Sequence, residues 1–382
     1  MKVGRSEPQY RQINRQLRDL ISSGALKAGE RLPSTLELCR LWGAKPCTVQ
    51  AAMSPLVKEG LVQRLPRIGT TVTVRKARSL TQAAVYYTQD IFRDEGSAFL
   101  RSLHGTLEAR LHGMGVALDT WVDPRGRAQG KTAWTDLMVA AQARRFDALI
   151  VPDLSVAQGP WMGRLPVPLA CMGATPGPNV VTVDYAAVFA MGVQSLKRQG
   201  CGSVGVISAF GPQDGASSVG RAGMDSFRRT AVDLGLPVRN EWLLAPRQTL
   251  RSQAAFQQFG YDAVHTLWRQ KERPESLIVG DDVMLAGVFS ALLELGLRTP
   301  NDLKLVGYKN SAIPVFAPMP VTFAEVSTGE IAEALVDLLQ KQLKGEPVTH
   351  RLIRPTLVKD TLRPVVTHFT RMTPPSTRKD HL

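Results

Sequence analysis

The sequence predicts an α/β protein in two parts: a small α+β head containing a winged helix-turn-helix, and a large domain of two lobes, each a doubly wound parallel sheet. Three observations predict it. Positive charge is concentrated at the start of the chain, two helices and a turn precede a hairpin there, and strands alternate with helices in the remainder.

The charge of the chain is unevenly distributed. The 382 residues carry a net charge of +14. Residues 1–78 hold 15 Lys and Arg against 5 Asp and Glu, a net charge of +10, whereas the other 304 residues hold 32 against 28, a net charge of +4. A basic module of this kind is typical of proteins that bind a polyanion. The alternative is a basic face that contacts only solvent.

Helical signals fill the first part of the head. Apolar residues recur at helical spacing over residues 10–21. Ser34 stands three residues before Glu37, the spacing of a capping box, so a second helix is predicted from there to Gly43. Pro46 suits the first position of a third helix because its missing N–H would have no helical partner there.

The third helix is the candidate recognition helix. Its apolar stripe leaves Thr48 and Gln50 outside, where they can contact bases. Pro55 should kink this helix or shorten it. Residues 61–64 and 70–74 alternate as two strands of a hairpin with basic residues near its tip. The whole pattern predicts a winged helix-turn-helix, in which this helix enters the major groove of DNA.

Several fixed spacings in the head resemble those of the GntR family of bacterial regulators. The matching segments are Tyr10-x-Gln12-Ile13, Gly24-x-Leu26-x-x-Gly29, Leu32-Pro33-Ser34, Thr48-Val49, Glu59-Gly60-Leu61-Val62 and Gly69-Thr70. The resemblance implies binding to double-stranded operator DNA. The predicted DNA contacts are Ser34, Thr35, Lys45, Thr48, Gln50, Arg64, Arg67 and Thr70.

The head departs from the family pattern at three positions. Leu36 and Pro46 stand where the family usually has Arg, and Gln50 replaces another common Arg. Base recognition by those arginines cannot be transferred to this chain. The operator is therefore expected to differ from the usual one.

Other side chains are left to recognise DNA. Lys45, Thr48 and Gln50 remain as base contacts, and glutamine suits the N6 and N7 atoms of adenine. Arg64 and Arg67 are predicted to contact phosphates. For each of them the alternative is a side chain that simply faces solvent.

The boundaries of the predicted parts follow from composition and periodicity. The head spans residues 1–75, a basic linker residues 76–82, the large domain residues 83–365, and a flexible basic tail residues 366–382. In the large domain, strands are predicted at 83–87, 116–121, 148–151, 167–170, 180–184, 203–207, 276–279 and 304–308, and helices at 98–114, 137–145, 187–199, 221–234, 256–269 and 283–295. This domain is longer than one doubly wound unit, which predicts two lobes.

Motifs in the large domain resemble the effector domain of LacI/GalR-type repressors, which is built like a type I periplasmic binding protein. They are Phe146-Asp147-Ala148-Leu149-Ile150-Val151-Pro152, Val181-Thr182-Val183-Asp184-Tyr185, Gly280-Asp281-Asp282-Val283-Met284-Leu285-Ala286-Gly287, Leu295-Gly296-Leu297-Arg298-Thr299-Pro300-Asn301-Asp302 and Leu305-Val306-Gly307-Tyr308. The resemblance implies a sugar-like small-molecule effector between the lobes and a homodimer. The implied effector contacts are Glu95, Ser97, Phe99, Arg221, Asp282 and Glu325.

Some of these assignments have open alternatives. Asp282 either accepts ligand hydroxyl groups or caps the helix that follows, and the two roles can coexist. Arg221 is one position away from the family's ligand-holding Arg, a place that Gly220 occupies. An aromatic ring such as that of Phe99 or Trp121 either stacks on the ligand or belongs to the core. A further departure, Lys309-Asn310 in place of an acidic pair, argues against a common hexose.

These observations predict a ligand-controlled transcriptional regulator, and repression is the favoured mode. The alternatives are a solute-binding protein of a transporter, a sensor of a non-sugar molecule, and an enzyme. Against an enzyme, the sequence has no glycine-rich phosphate loop, GxSxG, HExxH or metal-ligand cluster, and no cofactor is expected.

The chain is predicted to be cytoplasmic. Its four cysteines show no CxxC or metal-ligand spacing, which suits a reducing compartment. The first residues lack the apolar segment of a secretory signal. The longest apolar stretch, residues 283–297, is too short to span a membrane, so no membrane partner is expected.

Overall fold

The structure is a computed structural model that describes residues 8–22, 25–27, 29–58, 60–65, 69–73, 79–93, 98–126, 132–152, 160–209, 218–248, 250 and 252–360. The helices are α1 (Gln9–Ser22), α2 (Thr35–Trp42), α3 (Pro46–Lys58), α4 (Ala98–Gly113), α5 (Thr135–Gln142), α6 (Tyr185–Arg198), α7 (Ser218–Asp233), α8 (Gln253–Trp268), α9 (Asp282–Glu294) and α10 (Thr328–Lys344). The strands are β1 (Val62–Leu65), β2 (Gly69–Val72), β3 (Gln82–Tyr87), β4 (Ala117–Val122), β5 (Ala148–Val151), β6 (Leu169–Met172), β7 (Val180–Val183), β8 (Gly205–Ile207), β9 (Leu243–Leu244), β10 (Ser276–Val279), β11 (Lys304–Asn310), β12 (Val321–Val326), β13 (Arg351–Ile353) and β14 (Thr356–Asp360).

The head folds as predicted, with α1 and α2 packed against α3 and an antiparallel hairpin of β1 and β2. Apolar residues of all three helices meet in one core that includes Ile13, Leu17, Leu38, Val49 and Leu56. Three apolar residues expected in the stripes are instead exposed: Leu20, Leu36 and Leu41. Because each stripe follows the helical period, all three helices bury one face in this core.

The chain before α2 pairs with the hairpin through a single β-bridge between Arg31 and Thr71, which the sequence did not predict. The Leu32 N–H donates to the Thr70 carbonyl at 2.8 Å, and the Val72 N–H donates to the Glu30 carbonyl at 2.8 Å. These bonds fix the start of α2 against the wing.

The capping box of α2 forms as the spacing predicts. The Glu37 N–H donates to the Ser34 hydroxyl at 3.3 Å, and the Ser34 N–H donates to the Glu37 carboxylate at 2.7 Å. Gly43, with φ +57°, ends the helix in the left-handed region, which glycine adopts without strain. Both ends of α2 are therefore determined by local sequence.

The recognition helix does not end early at its proline. The structure places Pro55 inside α3, which continues to Lys58. Of the two expected effects, the shortening does not occur, because burial of Met53 and Leu56 on either side of the proline holds the helical course. The kink stays a prediction.

The large domain contains two six-stranded sheets with helices on both faces. In the first lobe the strand order is β13-β7-β6-β5-β3-β4, and every pairing is parallel. In the second lobe the order is β14-β12-β11-β10-β8-β9, parallel except for the edge strand β14. The predicted two-lobe, doubly wound fold is confirmed.

The chain passes between the lobes three times. It leaves the first lobe after β7, and α6 packs on β10 and β11 of the second lobe. It returns after β12 through α10, which packs on α4 and β6, and it crosses again between β13 and β14. These three connections form the hinge between the lobes.

Candidate nucleic-acid interface and ligand cleft

A pocket lies between α2, α3 and the wing, and it has ≈ 620 Å³ of empty space that includes open solvent. Five of the predicted DNA contacts line it: Ser34, Thr35, Gln50, Arg64 and Thr70. No Asp or Glu is among its described lining residues. Hydroxyl groups and guanidinium groups without a competing carboxylate suit the phosphates of DNA.

The other predicted DNA contacts lie outside this pocket or outside the described residues. Lys45 is exposed next to the start of α3, and its carbonyl accepts the Thr48 N–H at 2.9 Å. Thr48 is half-buried in the first turn of that helix. Arg67 lies outside the described residues. All of these DNA contacts remain predictions.

Arg31 joins the pocket and was not predicted. A side chain at Gly69 would place its Cβ 3.1 Å from the Arg31 Nε, so the guanidinium rests directly on the wing. Gly69 also has φ +110°, which favours glycine. No local pattern marks Arg31, because its position depends on the strand pairing of its backbone with Thr71.

The second site is a cleft between the two lobes, which encloses ≈ 910 Å³ of empty space that includes open solvent. The first lobe contributes Phe99, at the start of α4, and Met172, at the end of β6. The second lobe contributes residues after β10, on β11 and at the start of α8. The carboxyl ends of parallel strands from both lobes thus face one another, which is where open α/β sheets bind ligands.

Two adjacent carboxylates at the end of β10 have separate roles. One oxygen of Asp281 accepts the Val283 and Met284 N–H groups at 2.9 and 3.1 Å and caps α9. Asp282 accepts the side-chain and backbone N–H groups of Asn310 at 3.1 and 3.4 Å. The predicted cap role of Asp282 is therefore wrong, because Asp281 caps α9 and Asp282 is held by the neighbouring strand. Its contact with a ligand stays a prediction.

The environment of this pair disfavours negative charge. The pKa of Asp281 is raised from 3.8 to about 7, first by burial and then by the negative charge of Asp282. Burial also raises the pKa of Asp282, although the hydrogen bonds from Asn310 oppose the effect.

A pair of tyrosines closes one wall of the cleft. Tyr185 and Tyr308 stack with their ring centroids 5.5 Å apart. The Tyr308 hydroxyl donates to the Asn310 side-chain carbonyl at 3.0 Å. Burial raises the pKa of Tyr185 to about 12, so the ring presents a neutral hydroxyl. Tyr185 begins α6 directly after the first interlobe connection, and therefore links the hinge to the cleft.

Of the predicted effector contacts, the structure brings Phe99 and Asp282 to the cleft. Phe99 also packs against the first-lobe core, so both of its proposed roles are compatible with its position. Trp121 instead packs against Trp134 and Phe146 in the core. Glu95 and Ser97 lie outside the described residues.

Two predicted effector contacts are placed elsewhere. Glu325 forms an ion pair with Lys309 at 2.8 Å, on the face of the sheet opposite Tyr308 and Asn310, because successive strand residues alternate between faces. Arg221 is exposed on α7 and is not among the residues that line the cleft.

Further cleft residues were not predicted as contacts. Asp281, Tyr185 and Asn310 stand in the segments that carried the family resemblance or its departures, so a signal was present. Gln253 and Phe256 begin α8 and carry no recognisable motif. Only the packing of α8 against α9 brings them to the cleft.

Two known families match separate parts of the chain. Residues 9–72 match the family described as bacterial regulatory proteins, gntR family. Residues 193–360 match the periplasmic binding protein-like domain. The chain joins a gntR-family head to a periplasmic-binding-protein-like domain. Both predicted resemblances are confirmed.

Relatives of this two-part chain include named regulators. Catabolite control protein A of Priestia megaterium is 27% identical over 194 residues, 50% of this chain and 55% of that protein. The HTH-type transcriptional repressor PurR of Glaesserella parasuis serovar 5 (strain SH0165) is 29% identical over 140 residues, 35% of this chain and 39% of that protein. The chain thus spans about half or less of the length of these relatives.

Solved structures show the same fold for the periplasmic-binding-protein-like domain. A regulatory protein of the LacI family from Chloroflexus aggregans has a TM-score of 0.57 at 18% identity, over 72% of this chain and 96% of that one. A LacI family transcription regulator from Clostridium acetobutylicum has a TM-score of 0.58 at 18% identity, over 73% and 98%. At these identities the similarity shows the fold alone.

No helix within the described part of the chain is long and apolar enough to cross a membrane. Among the same residues, no group of three or more His, Cys, Asp or Glu side chains could hold a metal ion.

Proposed function

We propose that the chain is a transcriptional regulator whose affinity for operator DNA is controlled by a small molecule in the interlobe cleft. One observation carries this proposal: a single chain combines a basic winged helix-turn-helix with a cleft lined from both lobes. The named relatives are regulators, which supports the same function.

The head supplies the DNA contacts in this proposal. Arg31 and Arg64 flank the pocket beside α2 and α3, and the hydroxyls of Ser34, Thr35 and Thr70 complete it. A phosphate in this pocket would position α3 in the major groove, where Lys45 and Gln50 contact bases.

The cleft is where a ligand would control the affinity for DNA. A ligand that contacts both lobes stabilises a closed arrangement, and it changes DNA affinity only if it binds the two arrangements with different affinities. Carboxylate acceptors and aromatic walls suit a sugar or related polyol. PurR is named a repressor, which favours repression in this chain.

The assembly is proposed to be a cytoplasmic homodimer. Two heads related by a two-fold axis match the two halves of a pseudo-palindromic operator. Light scattering on the purified full chain should give twice the mass of one chain.

In vitro selection with the full chain tests the DNA-binding part. An enriched, two-fold symmetric site is expected, bound more tightly than a scrambled duplex in fluorescence anisotropy. Sugars and polyols are then added, and the affinity for the selected site should change. Equal affinity for selected and scrambled duplexes would refute sequence-specific binding.

Base recognition is tested by the double variant Lys45→Ala with Gln50→Ala. It should lose discrimination between the selected site and single-base variants, by about 1–3 kcal/mol for each base that the two side chains recognise. Exposed Gln194→Ala, on α6 in the second lobe, is the control. Unchanged affinity and specificity in the double variant would show that other residues contact the bases.

A further inference from the structure

The side chains that line the cleft have an unbalanced charge. Asp281 and Asp282 are its carboxylates, and no Lys, Arg or His is among its described lining residues. The remaining titratable groups there are the hydroxyls of Tyr185 and Tyr308, which are neutral. Among the described lining residues, no cationic side chain therefore balances the two carboxylates.

The nearest cation on β11 is not available to this pair. Lys309 lies between Tyr308 and Asn310 in sequence, but its side chain lies on the other face of the sheet. There it pairs with Glu325 at 2.8 Å, and its ammonium group lies 4.6 Å from the centroid of the Phe323 ring. Asn310 supplies Asp282 only with neutral N–H donors.

A buried carboxylate without a cationic partner is energetically costly. Asp282 is 9% exposed, and burial raises the pKa values of both members of the pair. A ligand that brings a positive charge would remove this cost, whereas a neutral ligand would leave it.

The walls around the carboxylates are aromatic. Phe99 comes from the first lobe, Phe256 from the second, and the stacked Tyr185 and Tyr308 from the hinge side. Aromatic faces attract cations and also pack against apolar or ring-shaped bodies. The aromatic walls and the two carboxylates thus both favour a ligand that carries a positive charge.

We infer that the ligand of this cleft carries a protonated amine, held by the Asp281 and Asp282 carboxylates, on a polyol or ring-shaped body. The inference rests on the proposed function and narrows its ligand class. When the amine binds, a proton held by the carboxylate pair is released to solvent. The amine keeps its own proton and donates N–H hydrogen bonds to the carboxylates.

Calorimetry on the full chain with matched pairs of probes tests this inference. The amines are 1-amino-1-deoxy-D-sorbitol, 1-amino-1-deoxy-D-galactitol and 2-phenylethylamine, and their hydroxyl twins are D-sorbitol, galactitol and 2-phenylethanol. At least one amine should bind at least about tenfold more tightly than its twin. The inference is overturned if no amine binds, or if each twin binds as tightly as its amine.

The pH dependence provides a second measure. Between about pH 5.5 and 7.5 these amines stay protonated, while the carboxylate pair loses its proton. The affinity of the amine should therefore rise with pH, and heats measured in buffers of different ionisation enthalpy should show proton release. A pH-independent affinity would contradict the role of the pair.

Asparagine variants of the two cleft aspartates test the role of their charge, because they keep nearly the same side-chain shape. Asp281→Asn keeps a capping side chain for α9 and removes one charge, and Asp282→Asn removes the other. Both should lose most of the preference for the amine, whereas the exposed control Asp233→Asn should keep it. If the cleft variants keep the preference, the inference fails. If they unfold, the wild-type affinity ratio and its pH dependence decide.

Operator binding distinguishes this inference from the proposed function. If only a neutral polyol binds and changes DNA affinity, the proposed regulatory function stands and the inferred amine ligand is refuted. If an amine binds with the predicted preference but leaves DNA affinity unchanged, the ligand class stands and the coupling to DNA is refuted.

Discussion

At the residue scale, the two neighbouring carboxylates of the cleft accept hydrogen bonds from different elements. Asp281 is tied to the backbone of α9, and Asp282 to Asn310 on β11. Hydrogen bonds favour the charged forms of both, but burial and mutual repulsion outweigh them. The folded protein therefore holds protons on this pair more tightly than the unfolded chain does.

This proton affinity predicts a pH-dependent stability. Because the folded pKa of the pair is raised, the pair destabilises the fold increasingly as pH rises from about 4 to about 7. Asp281→Asn should therefore gain stability relative to wild type across that interval, by on the order of 1–2 kcal/mol. Thermal unfolding at a series of pH values measures the difference. A difference that does not change with pH would contradict the raised pKa.

A second residue-scale prediction concerns the cap of α2. Ser34→Ala removes the acceptor of the Glu37 N–H and should destabilise the first turn by about 1 kcal/mol. Hydrogen exchange of the Glu37 amide in the full chain should accelerate accordingly. Ser34→Asp retains an acceptor and should exchange as wild type does. Equal exchange in the alanine variant would show that the cap adds nothing.

At the element scale, α8 and α9 approach closely because both carry glycine at their contact. A Cβ on Gly287 would lie 1.8 Å from the Gln257 carbonyl oxygen, and one on Gly260 would lie 2.4 Å from the Met284 carbonyl oxygen. Backbone atoms cannot move aside as a flexible side chain can. The contact positions Phe256, at the start of α8, in the cleft beside α9.

Gly287→Ala should therefore separate the two helices and destabilise the second lobe by about 1–3 kcal/mol or more. It should also weaken ligand binding in the cleft, since α8 and α9 both line it. Gly105→Ala is a matched control in α4, where nothing lies within 4 Å of the added Cβ. There alanine should be neutral or stabilising, by about 0.5–1 kcal/mol. Chemical denaturation of both variants compares them.

Local patterns predicted most elements but missed those at the lobe boundaries. The strand at Ser276–Val279 was predicted at its observed bounds. Its four consecutive apolar and small residues are all buried in the structure. The helix α10 was not predicted, although Ser327 and Glu330 carry the spacing of a helix cap. The short strands β9, β13 and β14 have little periodicity of their own, and they form because a neighbouring strand offers an edge.

At the scale of the whole molecule, the charge of the chain is divided between its parts. The excess positive charge lies in the first fifth of the sequence, whereas the described residues that line the cleft include two carboxyl groups and no cationic side chain. DNA affinity should therefore depend strongly on salt, whereas binding of a neutral ligand should not.

Arg64→Ala, and separately Arg31→Ala, should each reduce the slope of the logarithm of DNA affinity against the logarithm of salt concentration by about one. Discrimination between operator variants should change little, because phosphate contacts carry no base information. Arg198→Ala, an exposed arginine of α6, is the control. An unchanged slope for Arg31→Ala would exclude a phosphate contact by that residue.

The sequence by itself determined the two-part architecture, the winged helix-turn-helix and the alternating strands and helices. Caps, helical stripes and apolar strand runs act over a few residues, so their signals are local. Only the tertiary structure decided which side chains meet. Strand alternation places Glu325 away from the cleft, and a backbone pairing places Arg31 on the wing. The glycine contact between α8 and α9 places Phe256 in the cleft. These placements depend on residues distant in sequence, and a local pattern does not contain them.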